Sequence, residues 1–337
     1  MLVLDVYDIK ELVNKIGFKP FFKELIELLE EDFKRWEKFD KMPRVATHFS
    51  HGVLELMPAS DDEFYGYKYV TGHPKNPDVN KTTVMATGQL STVDTGEPVL
   101  ISEMTLLTAL RTGATSALAG KYLAKKDSKI LCLIGTGAQS EFQSLAFDTI
   151  FDIEEIRYFD VDPKAMDKFE QNMSKFTYKM TRCSSTYEAV KGADIVTTIT
   201  ADKRNQTIIL PEMVEEGMFI NGVGGDCPGK TEMAKEVVES VNKVVIEYYP
   251  QTKIEGEIQQ VSDDFPTTEL WEIILNQKDG RTNENETILF DSVGFGVEDF
   301  TILKLVYKLA KENGIGRDMD LIPNMGQDPK DLFKSFL

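Results

Sequence analysis

The segment from Lys129 to Asp160 constrains the fold more than any other part of the chain. It opens with an apolar run, Ile130 to Ile134, which is typical of a buried parallel strand. The run breaks at Gly135-Thr-Gly137 and passes into a helical pattern, after which comes a second strand, Ile156 to Phe159. The segment therefore predicts a strand–turn–helix–strand unit with an acid about 20 residues beyond the glycines, as in dinucleotide sites.

Each part of this unit has a physical role in binding a dinucleotide. Gly135 permits a tight turn, and Gly137 lets the backbone approach a pyrophosphate, which then faces the N–H groups that open the helix. Asp160 can accept hydrogen bonds from ribose hydroxyls and would repel a 2′-phosphate, which favours NAD over NADP. Ser140 replaces the usual third glycine. An ordinary turn with a strand-end acid remains the alternative.

Length and charge limit the class of protein. The 337 residues are enough for two domains, and the net charge of −18 argues against a nucleic acid or another polyanion as partner. Three cysteines, Cys132, Cys183 and Cys227, are far apart, which suggests a reducing, cytoplasmic setting. The first residues do not resemble a signal peptide, and no apolar run is long enough to cross a membrane.

The N-terminal third predicts helices and then an antiparallel sheet. Asp8 with Glu11 predicts a capping box for a first helix, and an amphipathic helix runs from Pro20 to Asp40. Strand-like segments separated by turns come next: Val53 to Met57, Tyr65 to Val70, Thr82 to Leu90, and Pro98 to Ser102. This part is therefore an α+β unit, distinct from the rest of the chain.

The remainder alternates strands with helices, which predicts a doubly wound, Rossmann-type parallel sheet in an α/β protein. A helix from Thr105 to Lys125 links the two parts, and Ser185 with Glu188 caps a later helix. The last helix, Asp299 to Asn313, and the tail can fold back on the first unit. We expect domains at 1–125, completed by 302–337, and at 126–301. Further strands are predicted at Tyr178 to Cys183, Asp194 to Thr200, Met218 to Asn221, Lys243 to Tyr248 and Thr287 to Asp291.

Two cations stand in unusual surroundings. Arg111 lies in TLLTALRTGATSALAG, a helix that is apolar or small nearly all round, so its guanidinium needs an anion. That anion is either a core carboxylate or a bound carboxylate or phosphate group. Lys68, in the strand-like FYGYKYVTG, either points inward beside Gly66 or is solvated. Arg44 and Glu55 carry no signal alone, and His48, His51 and His73 lack a metal-binding spacing.

Asp226 comes after the predicted strand end MFINGVGG, and ligands of open α/β sheets lie at the carboxyl ends of strands. Its surrounding glycines (Gly222, Gly224 and Gly225) leave room for a general acid or base beside a cofactor. The alternative is a cap for a helix after Thr231.

The same stretch matches the phosphate-loop pattern GxxxxGK[ST], from Gly224 to Thr231, which would make the protein an ATPase. Pro228 has no N–H to donate to a phosphate, and Asp226 would place a negative charge in the phosphate cradle. We interpret the match as coincidental.

Taken together, several motifs resemble the ornithine cyclodeaminase/mu-crystallin family. They spread over nearly the whole chain: DFKRWEKFDKMPRVATH, ELMP, KYVTGHPKN, ALRTGATS, LIGTGAQSEFQSLAF, AVKGADIVTTITADK, GGDCPGKTE, EYYPQTKIEGEIQQ and FDSVGFGVED. The glycine turn and ALRTGATS resemble the broad family, whereas GGDCPGKTE, PQTKIEGEIQQ and DSVGF are similar to its cyclodeaminase branch.

The resemblance implies an NAD-dependent ammonia-lyase that converts L-ornithine to L-proline and ammonia, through hydride abstraction, ring closure and hydride return. It implies that the substrate carboxylate is held by Arg44, Lys68 and Arg111, that Asp226 is the proton donor and acceptor, and that Glu55 is an acid near the amines. Val293 becomes a substrate contact. The NAD site takes Thr83, Arg111, Gly135, Gly137, Ala138, Gln139, Asp160, Thr200, Gly222, Val223, Gly224, Gly225, Lys230 and Ser292.

The resemblance also implies a homodimer in which the N-terminal sheets of two subunits form a shared barrel, with roles in substrate binding and dimerisation for the first domain and in NAD binding for the second. Related activities on the same fold remain open: an amino-acid dehydrogenase, a ketimine reductase, a lysine cyclodeaminase, or a non-catalytic protein that binds NAD or a small ligand. The sequence does not separate ornithine from lysine, because pocket depth is a property of the folded protein.

Overall fold

The computed structural model describes residues 1–201, 207–324, 326 and 328–337, and in these ranges it contains two eight-stranded sheets. The strands are β1 (Leu2–Leu4), β2 (Asp40–Lys41), β3 (Val45–Phe49), β4 (Gly52–Ser60), β5 (Phe64–Gly72), β6 (Val84–Thr92), β7 (Pro98–Glu103), β8 (Ile130–Ile134), β9 (Glu155–Phe159), β10 (Lys179–Arg182), β11 (Ile195–Thr198), β12 (Phe219–Gly222), β13 (Lys243–Ile246), β14 (Thr268–Glu269), β15 (Ile288–Asp291) and β16 (Arg317–Asp318). The α-helices are α1 (Val6–Ile16), α2 (Phe18–Lys34), α3 (Thr105–Leu123), α4 (Ser140–Ile150), α5 (Pro163–Met173), α6 (Thr186–Val190), α7 (Lys235–Ser240), α8 (Tyr249–Glu255), α9 (Leu270–Ile274) and α10 (Gly296–Asn313).

The first sheet has the order β16-β1-β7-β6-β5-β4-β2, with β3 also paired to β4. Strands β4 to β7 form an antiparallel meander, whose inner face packs on α10 and, through β6, on α3. Strand β16 pairs with β1, and α10 packs on β4 and β5. The α+β unit is therefore confirmed, and α10 and β16 pack against it.

The second sheet has the order β10-β9-β8-β11-β12-β15-β13-β14, and all of its strand pairs are parallel. The strand order reverses between β8 and β11, so a crevice opens at the carboxyl ends of these two strands. This doubly wound arrangement confirms the predicted fold class. Within the described ranges, no helix combines the length and the apolar character that crossing a bilayer requires.

Several predicted helix boundaries are wrong, including the end of the linking helix, which lies at Leu123 rather than Lys125. The first helix is capped by Asp5, whose side chain accepts hydrogen bonds from the N–H groups of Tyr7 and Asp8, and Asp8 closes the capping box. Strand β1 ends directly before Asp5, so the observed N-cap lies three residues before the predicted cap at Asp8 with Glu11. Helix α2 spans Phe18–Lys34 rather than Pro20 to Asp40. Proline is tolerated in its first turn, where backbone N–H groups have no intrahelical acceptor.

The last helix also begins earlier than the predicted Asp299, at Gly296. Its first turn therefore contains Glu298 and Asp299, both fully buried. The predicted cap of α6 is confirmed, because the hydroxyl of Ser185 accepts the N–H of Glu188 at 3.2 Å.

Candidate functional site

The glycine turn after β8 has the geometry that its sequence predicts. Gly135 has φ +100°, and a Cβ there would lie 2.9 Å from the carbonyl oxygen of Ile199. At Gly137, a Cβ would have no atom within 4 Å in the described part of the chain, so this side of the turn is open. Asp160, at the end of β9, accepts hydrogen bonds from the N–H of Thr136 at 2.6 Å and from its hydroxyl at 3.1 Å. The glycine turn and the carboxylate of Asp160 are therefore adjacent.

The start of α4 completes the turn. The Ser140 hydroxyl donates to the carbonyl of Gly137 at 2.9 Å, so the serine at the third fingerprint position supports the turn. Ala138 is exposed beside it. Gln139 Oε1 is buried and has no hydrogen-bond partner among the described residues, which is unusual for a buried acceptor. An open glycine, an adjacent acid and an unpaired acceptor fit a ligand such as a dinucleotide.

Thr200 and Lys230 meet beside the crevice, although 30 residues separate them. Lys230 is buried, and its Nζ donates to the carbonyl of Thr200 at 2.8 Å. Glu232 Oε1 accepts the N–H of Thr200 at 2.9 Å and also its hydroxyl. Burial lowers the pKa of Lys230, but the carboxylates of Asp226 and Glu232 outweigh it, so the pKa is raised. Lys230 is therefore held as a cation at the strand ends.

The glycines after β12 are required by the packing of the protein itself. A Cβ at Gly224 would lie 2.0 Å from Glu232 Oε2, and one at Gly225 would lie 2.8 Å from Glu257 Oε1. At Gly222, a Cβ would lie 2.8 Å from the terminal methyl of a methionine. These glycines therefore accommodate neighbouring side chains of the protein itself, and that they also leave room for a ligand around Asp226 stays a prediction.

Two further residues predicted for the NAD site lie at the same edge. Val223, directly after β12, is partly buried, and its N–H donates to the carbonyl of Thr198 at 3.0 Å. Ser292, directly after β15, is buried, and its hydroxyl donates to Glu247 Oε1 at 2.7 Å. The other oxygen of Glu247 accepts the N–H of Val293 at 2.9 Å. Burial raises the pKa of Glu247.

Asp226 projects from the loop after β12 and half of its side chain is exposed. Its Oδ1 lies 3.3 Å from Lys230 Nζ. The helix-cap alternative is wrong, because α7 begins only at Lys235 and has Ala234 as its N-cap. The same gap supports rejection of the phosphate-loop match, since the Lys230-Thr231 pair of such a loop should lead directly into a helix.

Lys68 and Arg111 lie in the interior and share one carboxylate. Lys68, on the inner face of β5, is 1% exposed and donates from Nζ to Asp299 Oδ1 at 2.8 Å. Arg111 Nε donates to the same oxygen at 3.0 Å, and its Nη1 donates to Glu298 Oε2 at 2.6 Å. The solvated alternative for Lys68 is wrong. For Arg111, the core carboxylate that the sequence left as one of two possible anions is present, as Asp299 together with Glu298.

Burial sets the charge state of this cluster. Burial and the neighbouring Arg111 lower the pKa of Lys68 to about 8, in spite of Asp299, which raises it. Burial also lowers the pKa of Arg111, but Asp299 and Glu298 outweigh it, so that pKa is raised. Burial and the nearby Glu247 raise the pKa of Glu298 well above its ordinary value. Lys68 is therefore the cation of this cluster that loses its proton most readily.

Arg44 precedes β3 and lies between two carboxylates. Its Nη1 is 3.2 Å from Glu55 Oε2, and its Nε is 3.1 Å from Glu255 Oε2. Its Nη2 donates to the carbonyls of Val293 at 2.7 Å and Gly294 at 2.8 Å. Burial lowers the pKa of Arg44, but Glu255 and Glu55 more than compensate, so the pKa is raised. The guanidinium is therefore charged and fixed in orientation.

Gly294 contacts both the cluster of Lys68 and Arg111 and the guanidinium of Arg44. It has φ +77°, and a Cβ there would lie 2.4 Å from Nη1 of Arg111, while its carbonyl accepts from Arg44. The fold therefore collects Arg44, Lys68, Arg111, Glu55 and Val293, which the resemblance assigned to the substrate, at the carboxyl edge of the second sheet. Cations that face buried carboxylates can bind an amino acid, which carries both charges.

Three carboxylates that pair with these cations, Glu255, Glu298 and Asp299, were not predicted from the sequence, and neither was the nearby Glu247. The signal available in the sequence was the pair of adjacent acids, Glu298 and Asp299, in the otherwise apolar first turn of α10.

Thr83 lies directly before β6, where its carbonyl accepts the N–H of His73 at 2.8 Å. Its assignment to the NAD site stays a prediction.

The histidines belong to the rim of the first sheet. The rings of His51 and His73 lie 5.6 Å apart, and His48 is exposed on β3. In the ranges that the structure describes, no group of three or more histidine, cysteine or acidic side chains is arranged to hold a metal ion.

Comparisons with known proteins agree with this geometry. The sequence model of the ornithine cyclodeaminase/mu-crystallin family matches residues 8–314. An ornithine cyclodeaminase of Agrobacterium fabrum is 49% identical over 334 residues, covering 99% of this chain and 94% of that protein. The solved structure of a lysine cyclodeaminase, described by its recognition of L-lysine, L-ornithine and L-2,4-diaminobutyric acid, superposes with a TM-score of 0.91 at 28% identity, covering 98% of each chain. An archaeal alanine dehydrogenase dimer with bound NAD superposes with a TM-score of 0.87 at 33% identity, covering 96% of this chain and 99% of that one.

Proposed function

This chain belongs to the ornithine cyclodeaminase/mu-crystallin family, and we propose that it is an ornithine cyclodeaminase that converts L-ornithine to L-proline and ammonia. The observation that carries the proposal is that Arg44, Lys68 and Arg111 lie together, with Asp226 near enough for its charge to act on Arg44. This arrangement provides cations for a carboxylate and an acid for an amine. The reaction belongs to the use of ornithine as a precursor of proline and to the catabolism of ornithine and arginine.

NAD is the cofactor that fits the strand ends. When bound, it supplies the acceptor and later the donor of the hydride at the substrate α-carbon, so that there is no net oxidation. The open turn at Gly137 would hold the pyrophosphate, and Asp160 would accept hydrogen bonds from the ribose hydroxyls. The remaining residues assigned to NAD are Thr83, Arg111, Gly135, Ala138, Gln139, Thr200, Gly222, Val223, Gly224, Gly225, Lys230 and Ser292.

The substrate carboxylate binds where the cations meet. Arg44, Lys68 and Arg111 already face protein carboxylates, so a bound carboxylate shares their remaining charge. This sharing fixes the α-carbon in orientation, because Arg44 and Arg111 are each held by several contacts. Val293 lies between Arg44 and Glu247 and forms part of the same wall.

Asp226 is the group that moves protons. Its half-exposed carboxylate can accept a proton from the distal amine, which must be neutral to attack the α-carbon. Glu55 lies near the amines as a second acid. Because nucleophile and electrophile belong to one molecule, ring closure gains roughly 7–11 kcal/mol over a bimolecular attack. The bond between the α-carbon and the original α-amino nitrogen then breaks, which releases ammonia, and return of the hydride gives proline.

The outer face of the first sheet is the proposed contact between two subunits of a homodimer. Val45, Leu56 and Tyr69 are paired in register across β3, β4 and β5, and their exposed fractions are 60%, 38% and 41%. A row of exposed apolar side chains on a sheet face is typical of a protein–protein interface. Residues 1–125 with 302–337 form the substrate and dimer domain, and 126–301 form the NAD domain.

We assign the enzyme to the cytoplasm, because its three cysteines are buried free thiols. Its partner is a small molecule, L-ornithine, rather than a nucleic acid or a membrane.

Product analysis tests the activity. Purified protein is incubated with L-ornithine and a catalytic amount of NAD, and proline, ammonia and NADH are measured. We expect one proline and one ammonia per ornithine, with no net NADH. Steady accumulation of NADH would instead identify an amino-acid dehydrogenase, and preference for lysine would identify a lysine cyclodeaminase.

A further inference from the structure

The Gln251–Gln259 segment joins the two halves of the candidate site. It contains the end of α8 and most of the 3₁₀ turn Glu257–Gln260. On one side it contacts Arg44, and on the other it contacts the loop that carries Asp226. Its sequence belongs to the motif PQTKIEGEIQQ, whose glutamines have no part in the proposed binding of substrate or cofactor.

Gln251 fixes Arg44 through both ends of its amide. The side chain is 1% exposed, and Oε1 accepts the backbone N–H of Arg44 at 3.0 Å. Its Nε2 donates at 2.6 Å to the carbonyl of Gly294, the same carbonyl that accepts from the Arg44 guanidinium. Gln251 therefore holds both the backbone of Arg44 and an acceptor of its side chain.

Gln259 fixes the loop of Asp226 in the same way. Its Oε1 accepts the N–H of Gly229 at 2.7 Å, and its Nε2 lies 2.9 Å from the carbonyl of Lys230. The same nitrogen lies 2.9 Å from the carbonyl of Glu255 at the end of α8. One amide, with one acceptor and two N–H donors, therefore ties the loop to the helix.

We propose that Gln251 and Gln259 are positioning residues, which hold Arg44 and the loop of Asp226 at a fixed separation. This inference rests on the proposed function, in which Arg44 binds the carboxylate and Asp226 moves the proton. Neither glutamine has to touch the substrate. Precise placement matters because a displacement of about 1 Å can cost roughly a hundredfold in rate.

Three matched substitutions test the proposal: Gln251→Met, Gln259→Met and Gln260→Met. Each keeps the length of the side chain and removes its hydrogen bonds. Gln260 is the control, because its amide nitrogen donates to the carbonyls of Met233 and Glu257 and to the Glu257 carboxylate, away from residues 226–230. Kinetics with ornithine, NAD binding and thermal unfolding are measured for all three variants.

The two positioning variants are expected to differ in which kinetic constant changes. Gln259→Met lowers kcat about tenfold or more and leaves the KM for ornithine within about twofold, since it displaces the proton acceptor. Gln251→Met raises that KM about three- to tenfold and leaves kcat within about threefold, since it loosens carboxylate binding. Gln260→Met changes neither constant.

Hydrogen exchange gives a readout that does not need activity. In Gln259→Met, the amides of residues 226–230 are expected to exchange at least about tenfold faster than in the wild type, and in Gln260→Met at the wild-type rate. Gln259→Glu is the second variant, because it keeps the acceptor for Gly229 and loses the donated bonds. It is expected to lower kcat in the same way.

Several outcomes would overturn the proposal. The first is an unchanged rate of hydrogen exchange at residues 226–230 in Gln259→Met. The second is a loss of kcat in Gln260→Met that is as large as the loss in Gln259→Met. The third is the same change in kcat and KM in Gln251→Met and Gln259→Met. Loss of folded protein in both Gln259 variants would also overturn it, because it would indicate a structural role. A wild type that forms no proline would contradict the proposed function, and the exchange experiment would still decide this inference.

Discussion

Lys68 Nζ donates a hydrogen bond at 2.8 Å to Asp299 Oδ1, although the two residues are 231 positions apart in the chain. The pair joins the inner face of β5 to the first turn of α10. Arg111 Nε donates to the same oxygen at 3.0 Å, so one buried carboxylate serves two cations. Burial and Arg111 therefore lower the pKa of Lys68 to about 8.

The lowered pKa of Lys68 predicts a pH-dependent KM. Lys68 is charged below pH 8 and loses its charge as the pH rises through that value, so it then no longer attracts the substrate carboxylate. We expect the KM for ornithine to rise about tenfold between pH 7.5 and 9.5, as expected when a charged hydrogen bond is lost. Lys68→Arg is the control, because arginine stays protonated over this range. Equal pH profiles for wild type and variant would contradict the assignment, since the titration of ornithine affects both.

Asp226→Asn is expected to remove proline formation and to leave NAD binding intact. The amide cannot accept a proton, and loss of a general base typically costs about 10²–10⁴ in rate. Proline formation and the Kd of NAD are the measurements. Asp263→Asn, at a side chain that is 92% exposed, is the matched control and should be fully active. Activity of Asp226→Asn within a factor of about three of the wild type would exclude Asp226 as the base.

Alanine at the two turn glycines should separate folding from cofactor binding. Gly137→Ala meets open space, so its free energy of unfolding should change by less than about 0.5 kcal/mol, while NAD binding weakens about tenfold or more. Gly135→Ala combines φ +100° with a close contact to the Ile199 carbonyl, so it should lower the Tm. Calorimetry and NAD titration test both. Unchanged NAD affinity in Gly137→Ala would indicate that the pyrophosphate does not lie there.

Asp291 predicts a pH-dependent stability. Burial raises its pKa to about 7, so between about pH 4 and 7 the folded state binds a proton that the unfolded chain releases. This stabilisation is complete below about pH 4 and is lost as the pH rises through 7. Asp291→Asn keeps an oxygen for the N–H of Ile258 and carries no charge. At pH 8 it should be more stable than the wild type by about 1 kcal/mol or more, with little difference at pH 4. A stability difference that is independent of pH would contradict this interpretation.

If the proposed homodimer forms through the outer face of the first sheet, Leu56→Lys is expected to convert it to a monomer. Leu56 lies between Val45 and Tyr69 on the outer face of the first sheet, and a lysine there would bury a charge at the interface. Sedimentation velocity gives the oligomeric state. Tyr187→Lys, at an exposed residue of α6, is the control and should remain dimeric. A wild-type monomer, or a Leu56→Lys dimer of unchanged affinity, would exclude this face as the interface.

The sequence was most informative where local pattern decides structure. Each strand that it predicted corresponds to an observed one, and Ile130–Ile134 has the predicted bounds. The errors lie at helix boundaries. The first helix, for example, is capped by Asp5 rather than by Asp8, because strand β1 ends directly before Asp5 and thereby sets where the helix can begin.

The amino-acid sequence by itself determined the alternation of strands and helices, the glycine turn with its acid, and the cationic residue types. These features depend on neighbours within a few residues. Only the tertiary structure decided that Lys68 is buried, that Asp299 serves both Lys68 and Arg111, and that Arg44 faces Glu55 and Glu255. Burial and ion pairing act through space between side chains far apart in the chain, so they are fixed only when the two sheets and α10 pack together.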